Sequence, residues 1–253
     1  MNLVAKMNSL SVRSTVARPI GRYLTSSLAR LKETIDPVQE AALKENCFLV
    51  DKNDKVIGTA SKRECHAVKP DGTIPLHRAF SVFLFNKNGH LLLQKRADTK
   101  ITYPNHYTNT CCSHPICDVP GEEQELNAGG VIKAARRRLN HELGIDPAQV
   151  PINSFKYITR LHYMDTGNGI WGEHEIDYIL FLNADIDIKP NPNEVSEIAY
   201  VNKENFSGFL SSLSSPLTPW FQMILKHKLP LWWDNLHNLD RFKDHNNILL
   251  LEK

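Results

Sequence analysis

Residues 130–144 read GVIKAARRRLNHELG, and this stretch decides how the chain folds. Val131, Ala135, Leu139 and Leu143 recur every four residues, which lines them up as one apolar stripe on a helix while charge occupies the other faces. Gly144 stands where such a helix needs its stop. The segments on either side follow a different period.

Upstream, residues 47–61 (CFLVDKNDKVIGTAS) are two short apolar runs around an Asn-Asp turn. Residues 78–96 (RAFSVFLFNKNGHLLLQKR) set Asn88-Gly89 between the runs Phe80–Phe85 and His90–Lys95. Both have hairpin chemistry. Downstream, strands are expected at Phe155–Tyr163 and Glu173–Leu182, with a shorter one near Ile198–Val201. In residues 215–233 (SPLTPWFQMILKHKLPLWW), Thr218 is placed to cap a further helix and Pro219 to open it. Strands interleaved with single helices, and hairpins in place of βαβ repeats, predict an α+β fold: a mixed sheet packed by helices, with a C-terminal helical segment.

The composition bounds the partners. With 253 residues, 42% of them hydrophobic and 23% charged, the chain can bury one substantial core. No apolar run is long enough to span a bilayer. Residues 1–32 carry six basic side chains (Lys6, Arg13, Arg18, Arg22, Arg30, Lys32) and no acid, leaving 24 basic against 28 acidic residues beyond them. The body is therefore slightly acidic and offers no basic groove for nucleic acid. An acid-free, Arg- and Ser-rich leader has the composition of a transit peptide, so residues 1–35 are expected to be a mitochondrial import segment or a disordered extension ahead of a domain at 36–253. Cytosolic or dual residence is the alternative, and the terminal Leu-Glu-Lys is not a peroxisomal address.

Five cysteines include the vicinal pair Cys111-Cys112, which is poorly placed to bridge itself, and no CxxC occurs. Free thiols are expected. In residues 171–181 (WGEHEIDYILF), strand alternation turns Glu173, Glu175 and Asp177 to one face. Three carboxylates there repel one another, so a positive group must sit among them or one must keep a proton. Cys112 and His114 share a side if their segment is extended; His66 and His77 add imidazoles. Three histidines and two glutamates make a plausible set for Zn²⁺, Mn²⁺ or Fe, although their scatter along the chain has no local signature. Arg138 and Glu142 are helical neighbours, either a surface ion pair or a place where Glu142 holds Mg²⁺ while Arg138 meets a phosphate. Lys62, Arg96 and Lys100 could complete a diphosphate pocket.

Taken in order, CHAV (65–68), LHRAFSVFLFN (76–86), YPNHYTNTCCSHP (103–115), RRRLNHELGI (136–145) and GIWGEHEIDYIL (169–180) closely resemble the type 1 isopentenyl-diphosphate Delta-isomerases, which have a Nudix fold. The resemblance runs from about Ala41 to the end. It implies a Nudix-like sheet, interconversion of isopentenyl and dimethylallyl diphosphate through a tertiary carbocation, and a place in isoprenoid biosynthesis. It implies Cys112 and Glu175 as the catalytic pair with Tyr163, Glu175 and Tyr163 protonating the alkene and Cys112 taking the other proton. The implied metal ligands are His66, His77, His114, Glu173 and Glu175 for one divalent ion (Zn²⁺, Mn²⁺ or Mg²⁺), and Glu142 for Mg²⁺ on the diphosphate. Lys62, Arg96, Lys100 and Arg138 are implied at the diphosphate and Trp220 against the reacting carbons. Nearby metal and cations are expected to lower the Cys112 thiol pKa.

One departure bears on the chemistry. Where hydrolytic Nudix boxes carry metal-binding acids, Arg138 and His141 stand instead, which disfavours hydrolysis. The remaining alternatives are a Nudix hydrolase of another diphosphate and an inactive metal-binding homologue. A monomer is the expected state.

Overall fold

The computed structural model describes residues 35–252, so the expected leader at 1–35 lies, but for its last residue, outside the described residues. The elements are α1 (Pro37–Ala42), β1 (Asn46–Val50), β2 (Val56–Ser61), α2 (Lys62–His66), β3 (His77–Phe85), β4 (Leu91–Arg96), β5 (Tyr107–Thr108), β6 (Cys111–Ser113), α3 (Gly129–Leu143), β7 (Lys156–Asp165), β8 (Glu173–Asn183), β9 (Val195–Val201), α4 (Phe206–Ser212), α5 (Pro219–His227), α6 (Leu229–Asp234) and β10 (Ile248–Leu250). The fold is α+β around a mixed sheet, as the interleaved pattern predicts.

One row of strands runs β10-β7-β8-β3-β1-β2. β6 joins β3, while β4 carries β5 and β9. The β1–β2 hairpin forms as expected. The hairpin around Asn88-Gly89 does not extend: its turn closes through Asn86 and His90, but only Phe85 and Leu91 pair across it. The reason lies in β3 itself. All nine of its residues are buried, as in a strand flanked on both sides. It takes β8 as a parallel partner from His77 opposite Glu175 to Phe85 opposite Asn183, and β6 on the other edge. β4 swings away to pair with β9.

The sheet buries both faces. On one side Val131, Ala135, Leu139 and Leu143 of α3 pack against Phe80, Val82 and Leu84 of β3 and Leu180 and Leu182 of β8. Gly144 ends that helix at φ +62°, and a Cβ there would come within 2.4 Å of the Lys189 carbonyl oxygen, so both the turn and the space require glycine. On the other side Phe83, Phe85, Ile179 and Phe181 meet Phe221, Ile224 and Trp232 of α5 and α6. Pro219 opens α5 as expected, but the Thr218 hydroxyl makes no capping bond. It pairs with Thr108 Oγ1 at 2.8 Å, tying the helix start to β5.

Candidate active site

The register of β3 against β8 brings residues far apart in sequence onto one face. His77 lies directly beside Glu175. His66 closes α2, a helix begun by a capping box in which Ser61 and Glu64 satisfy each other's backbone. His114 follows β6, and Glu173 opens β8. One ligand atom from each of His66, His77, His114, Glu173 and Glu175 falls within 4.8 Å of all the others, and all five residues are buried. The five candidates read from scattered positions are one cluster.

These residues fit a divalent cation. His66 Nδ1 lies 2.7 Å from the Lys62 carbonyl and His77 Nδ1 2.9 Å from that of Pro75, an arrangement that protonates Nδ1 and leaves each Nε2 lone pair for a metal. His66 Nε2 is 3.0 Å from Glu173, and His114 Nε2 is 2.8 Å from Glu175. Burial opposes charge on His77, but the hydrogen bond and charge of Glu175 raise its pKa to about 9. Burial and the facing imidazoles push His114 well below its ordinary value.

Asp177 answers the question of three carboxylates on one face. Burial, and then the charges of Glu175 and Glu173, raise its pKa well above the usual range, so it keeps its proton. Ser81 donates to it at 2.8 Å. Glu175 behaves oppositely: burial works to raise it, but His77 and the hydroxyl of Tyr163 outweigh that and hold it ionised.

Cys112, Tyr163, Glu173, Glu175 and Trp220 line one pocket with Lys62, Arg96 and Lys100. Strand alternation on β6 separates the two cysteines: Cys111 is sunk in the core under α3, and Cys112 faces the pocket. All five cysteines are free. Burial works against the expected lowering of the Cys112 pKa by metal and cations. Desolvation pushes the thiol pKa up, against hydrogen bonds from Ser81 and Thr108 and the charge of Arg96.

Arg138 and Glu142 take another position. They sit on α3, buried and paired at 2.8 Å, and do not line the pocket. Gln94 also donates to Glu142, at 3.0 Å. Arg138 reaches Glu194 at 3.2 Å, and Glu194 in turn pairs with Lys100, which does face the pocket. Glu194 was not a sequence candidate; a single acid in an Asn-Pro loop carries no pattern. Gln39 on α1 also lines the pocket, held by Asn193.

The NUDIX domain family profile matches residues 75–221. Isopentenyl-diphosphate Delta-isomerase 1 of Mus musculus is 48% identical over 217 residues, covering 85% of this chain and 95% of that one. The Bos taurus protein of the same name is 46% identical over 219 residues, 85% of this chain and 96% of its own. Isopentenyl-diphosphate delta-isomerase of Schizosaccharomyces pombe is 42% identical over 216 residues, 84% and 94% of the two chains. The profile match takes in α3, the β3–β8 pairing and the pocket residues from Arg96 to Trp220. This chain belongs to the isopentenyl-diphosphate Delta-isomerase family of Nudix-domain proteins.

Proposed function

We propose that this pocket interconverts isopentenyl and dimethylallyl diphosphate, with Cys112 and Glu175 as its two proton-transfer groups. The observation that carries the residue roles is their placement together in one pocket with Tyr163 and Trp220. Moving a double bond along a carbon chain needs one group that gives a proton and another that takes one. Here a thiol and a carboxylate line the same pocket. Glu175, with Tyr163, gives the proton to the alkene and Cys112 takes the other, and the two exchange roles in the return direction. Tyr163 donates to Glu175 and keeps its own proton, its pKa raised by burial and the neighbouring carboxylates.

The intermediate cation is tertiary and must be kept from water. Trp220, 3% exposed, offers its ring face there, and Arg96 sits 5.7 Å from the ring centroid on the way to the charged end of the pocket. A cation–π contact in a dry site is worth about 2 kcal/mol or more. Lys62, Arg96 and Lys100 are placed to hold a diphosphate. A divalent ion on the His/Glu cluster would supply a fixed positive charge beside Glu175 and make that carboxyl group more acidic. Glu142 accepts from Arg138 through Oε1 and from Gln94 through Oε2, and its remaining lone pairs are the ones that would hold Mg²⁺. Among the described residues no helix is long and apolar enough to cross a membrane.

The test is a proton NMR time course of the full chain with isopentenyl diphosphate and Mg²⁺ in D₂O. Deuterium should enter the new methyl group of dimethylallyl diphosphate with no phosphate released. Phosphate release, or unchanged substrate with metal present, would sink the reading.

Lys100 gives a pH prediction. Burial lowers its ammonium pKa to about 8, against Glu194, which favours the charge. The cation is present below that pH and lost above it, so KM for the diphosphate is expected to climb as pH passes about 8. Lys100→Arg keeps its charge and should flatten the rise in initial-rate profiles; an identical rise in both proteins would assign it elsewhere.

A further inference from the structure

Asn109 is fully buried and does not line the pocket, yet its amide is where the two groups that meet the carbon skeleton are joined. The Cys112 thiol donates to its Oδ1 at 2.9 Å, and the Trp220 indole N–H reaches the same oxygen at 3.2 Å. The Thr108 hydroxyl adds a third bond at 3.0 Å. The other end of the amide is spent on the fold: Nδ2 donates to the Val82 carbonyl of β3 at 3.1 Å and to that of Cys111 at 3.2 Å. The carbonyl end must therefore face the thiol and the indole, since a flipped amide would set its oxygen against two backbone carbonyls.

We infer that Asn109 is a positioning residue for the isomerisation, holding the Cys112 thiol and the Trp220 ring in one fixed relation to the five-carbon chain. The inference rests on the roles proposed above for Cys112 and Trp220. The indole N–H also lies 3.0 Å from the Cys112 sulfur, so thiol, indole and amide form a closed triangle. Two of its members come from chain segments more than a hundred residues apart. The sulfur must lie at one carbon of a flat allylic unit while the ring covers the cation that develops on the next, and errors of about 1 Å in such placements can cost about 10²-fold in rate. An amide with both ends saturated by partners on β3, β6 and α5 removes that freedom. A buried asparagine that only satisfied backbone groups would need the two Nδ2 bonds and no more.

The experiment is steady-state kinetics of the full chain, with metal content and melting temperature recorded for each variant. Asn109→Ala is expected to lower kcat about 10²-fold while KM stays within about twofold, because the diphosphate contacts lie elsewhere. Trp220→Phe keeps a ring and loses the N–H. If Asn109 acts through that bond, adding Asn109→Ala to Trp220→Phe should cost clearly less than it does in the parent. A kcat for Asn109→Ala within threefold of the parent, a KM rising in step with the fall in kcat, or fully multiplicative losses in the double variant would each overturn the inference. Should Asn109→Ala fail to fold, Asn109→Ser takes its place in the same cycle with Trp220→Phe and is read by the same criteria. An inactive parent would take down the functional reading and this inference together, whereas an active parent with an active variant would take down the inference alone.

Discussion

Cys112→Ala is expected to lower kcat for the isomerisation by about 10³-fold or more, within the range that a positioned acid or base contributes, with KM for isopentenyl diphosphate changed less than about threefold. The split follows from geometry. Cys112 lines the end of the pocket bounded by Trp220 and Tyr163, and the basic side chains that would hold the diphosphate do not depend on the sulfur for their contacts. Arg96 is held by the carbonyls of Thr102 and Tyr103, and Lys100 by Glu194. Bound metal should be unchanged, because the five-residue cluster does not include the thiol. Glu175→Gln separates the roles: it belongs to both the proton-transfer pair and the cluster, so activity and metal content should fall together. Initial rates with metal analysis of each purified variant check both statements. A Cys112→Ala protein retaining a tenth of the parent rate would remove the thiol from the chemistry.

The parts of this site legible in the sequence were those whose physics is local. Alternation along β8 was enough to turn Glu173, Glu175 and Asp177 to one face, and to require that one of them stay protonated or be neutralised; Asp177 is the one that stays protonated. The four-residue stripe on α3 was likewise enough to place that helix on the sheet. What could not be read locally was pairing. Nothing in residues 78–96 says that β3 will prefer a distant parallel partner to the strand that follows it by a tight turn, because that choice depends on burying both of its faces and edges. The proximity of His77 to Glu175 follows from this non-local register. Without it, the three imidazoles and two carboxylates had only a family resemblance to gather them.

Depth was the other quantity that sequence could not supply. Cys112 has cations nearby, and counting them suggests a lowered pKa; the folded chain half-buries the thiol, and its desolvation works against them. Arg138 and Glu142 were expected to face a phosphate. They sit paired behind the pocket wall, and Glu194, the acid that links them to Lys100, stands in a loop where no spacing rule points to it. Asn109 lies within the cysteine motif, but an amide carries no charge to mark it.

The same non-local register makes the fold vulnerable at one point, and Asp54→Asn is expected to destabilise it by about 3–5 kcal/mol. Asp54 lies at φ +66° in the turn between β1 and β2, 5% exposed. Its carboxylate takes Arg78 Nε at 2.8 Å and Arg160 Nη1 at 3.0 Å, and the Tyr178 hydroxyl donates to it as well. Both guanidinium groups lie within 5.9 Å of the Tyr178 ring centroid, so one carboxylate clamps β3, β7 and β8 together. Arg78 is the residue after His77, and its partner across the sheet, Ile176, follows Glu175. Removing the charge leaves two buried guanidinium groups with one largely exposed acid, Glu125, reaching Arg78. Asparagine tolerates the left-handed backbone and nearly preserves shape, so its cost isolates the charge, whereas alanine would add backbone strain. At about 2–4 °C per kcal/mol for a chain of this size, the melting temperature should fall by roughly 6–20 °C. Thermal and urea unfolding measure it, and a loss below about 2 °C would show that the arginines find other partners. If the clamp also sets the β3–β8 register, metal affinity should weaken in the same variant although Asp54 touches none of the five ligands.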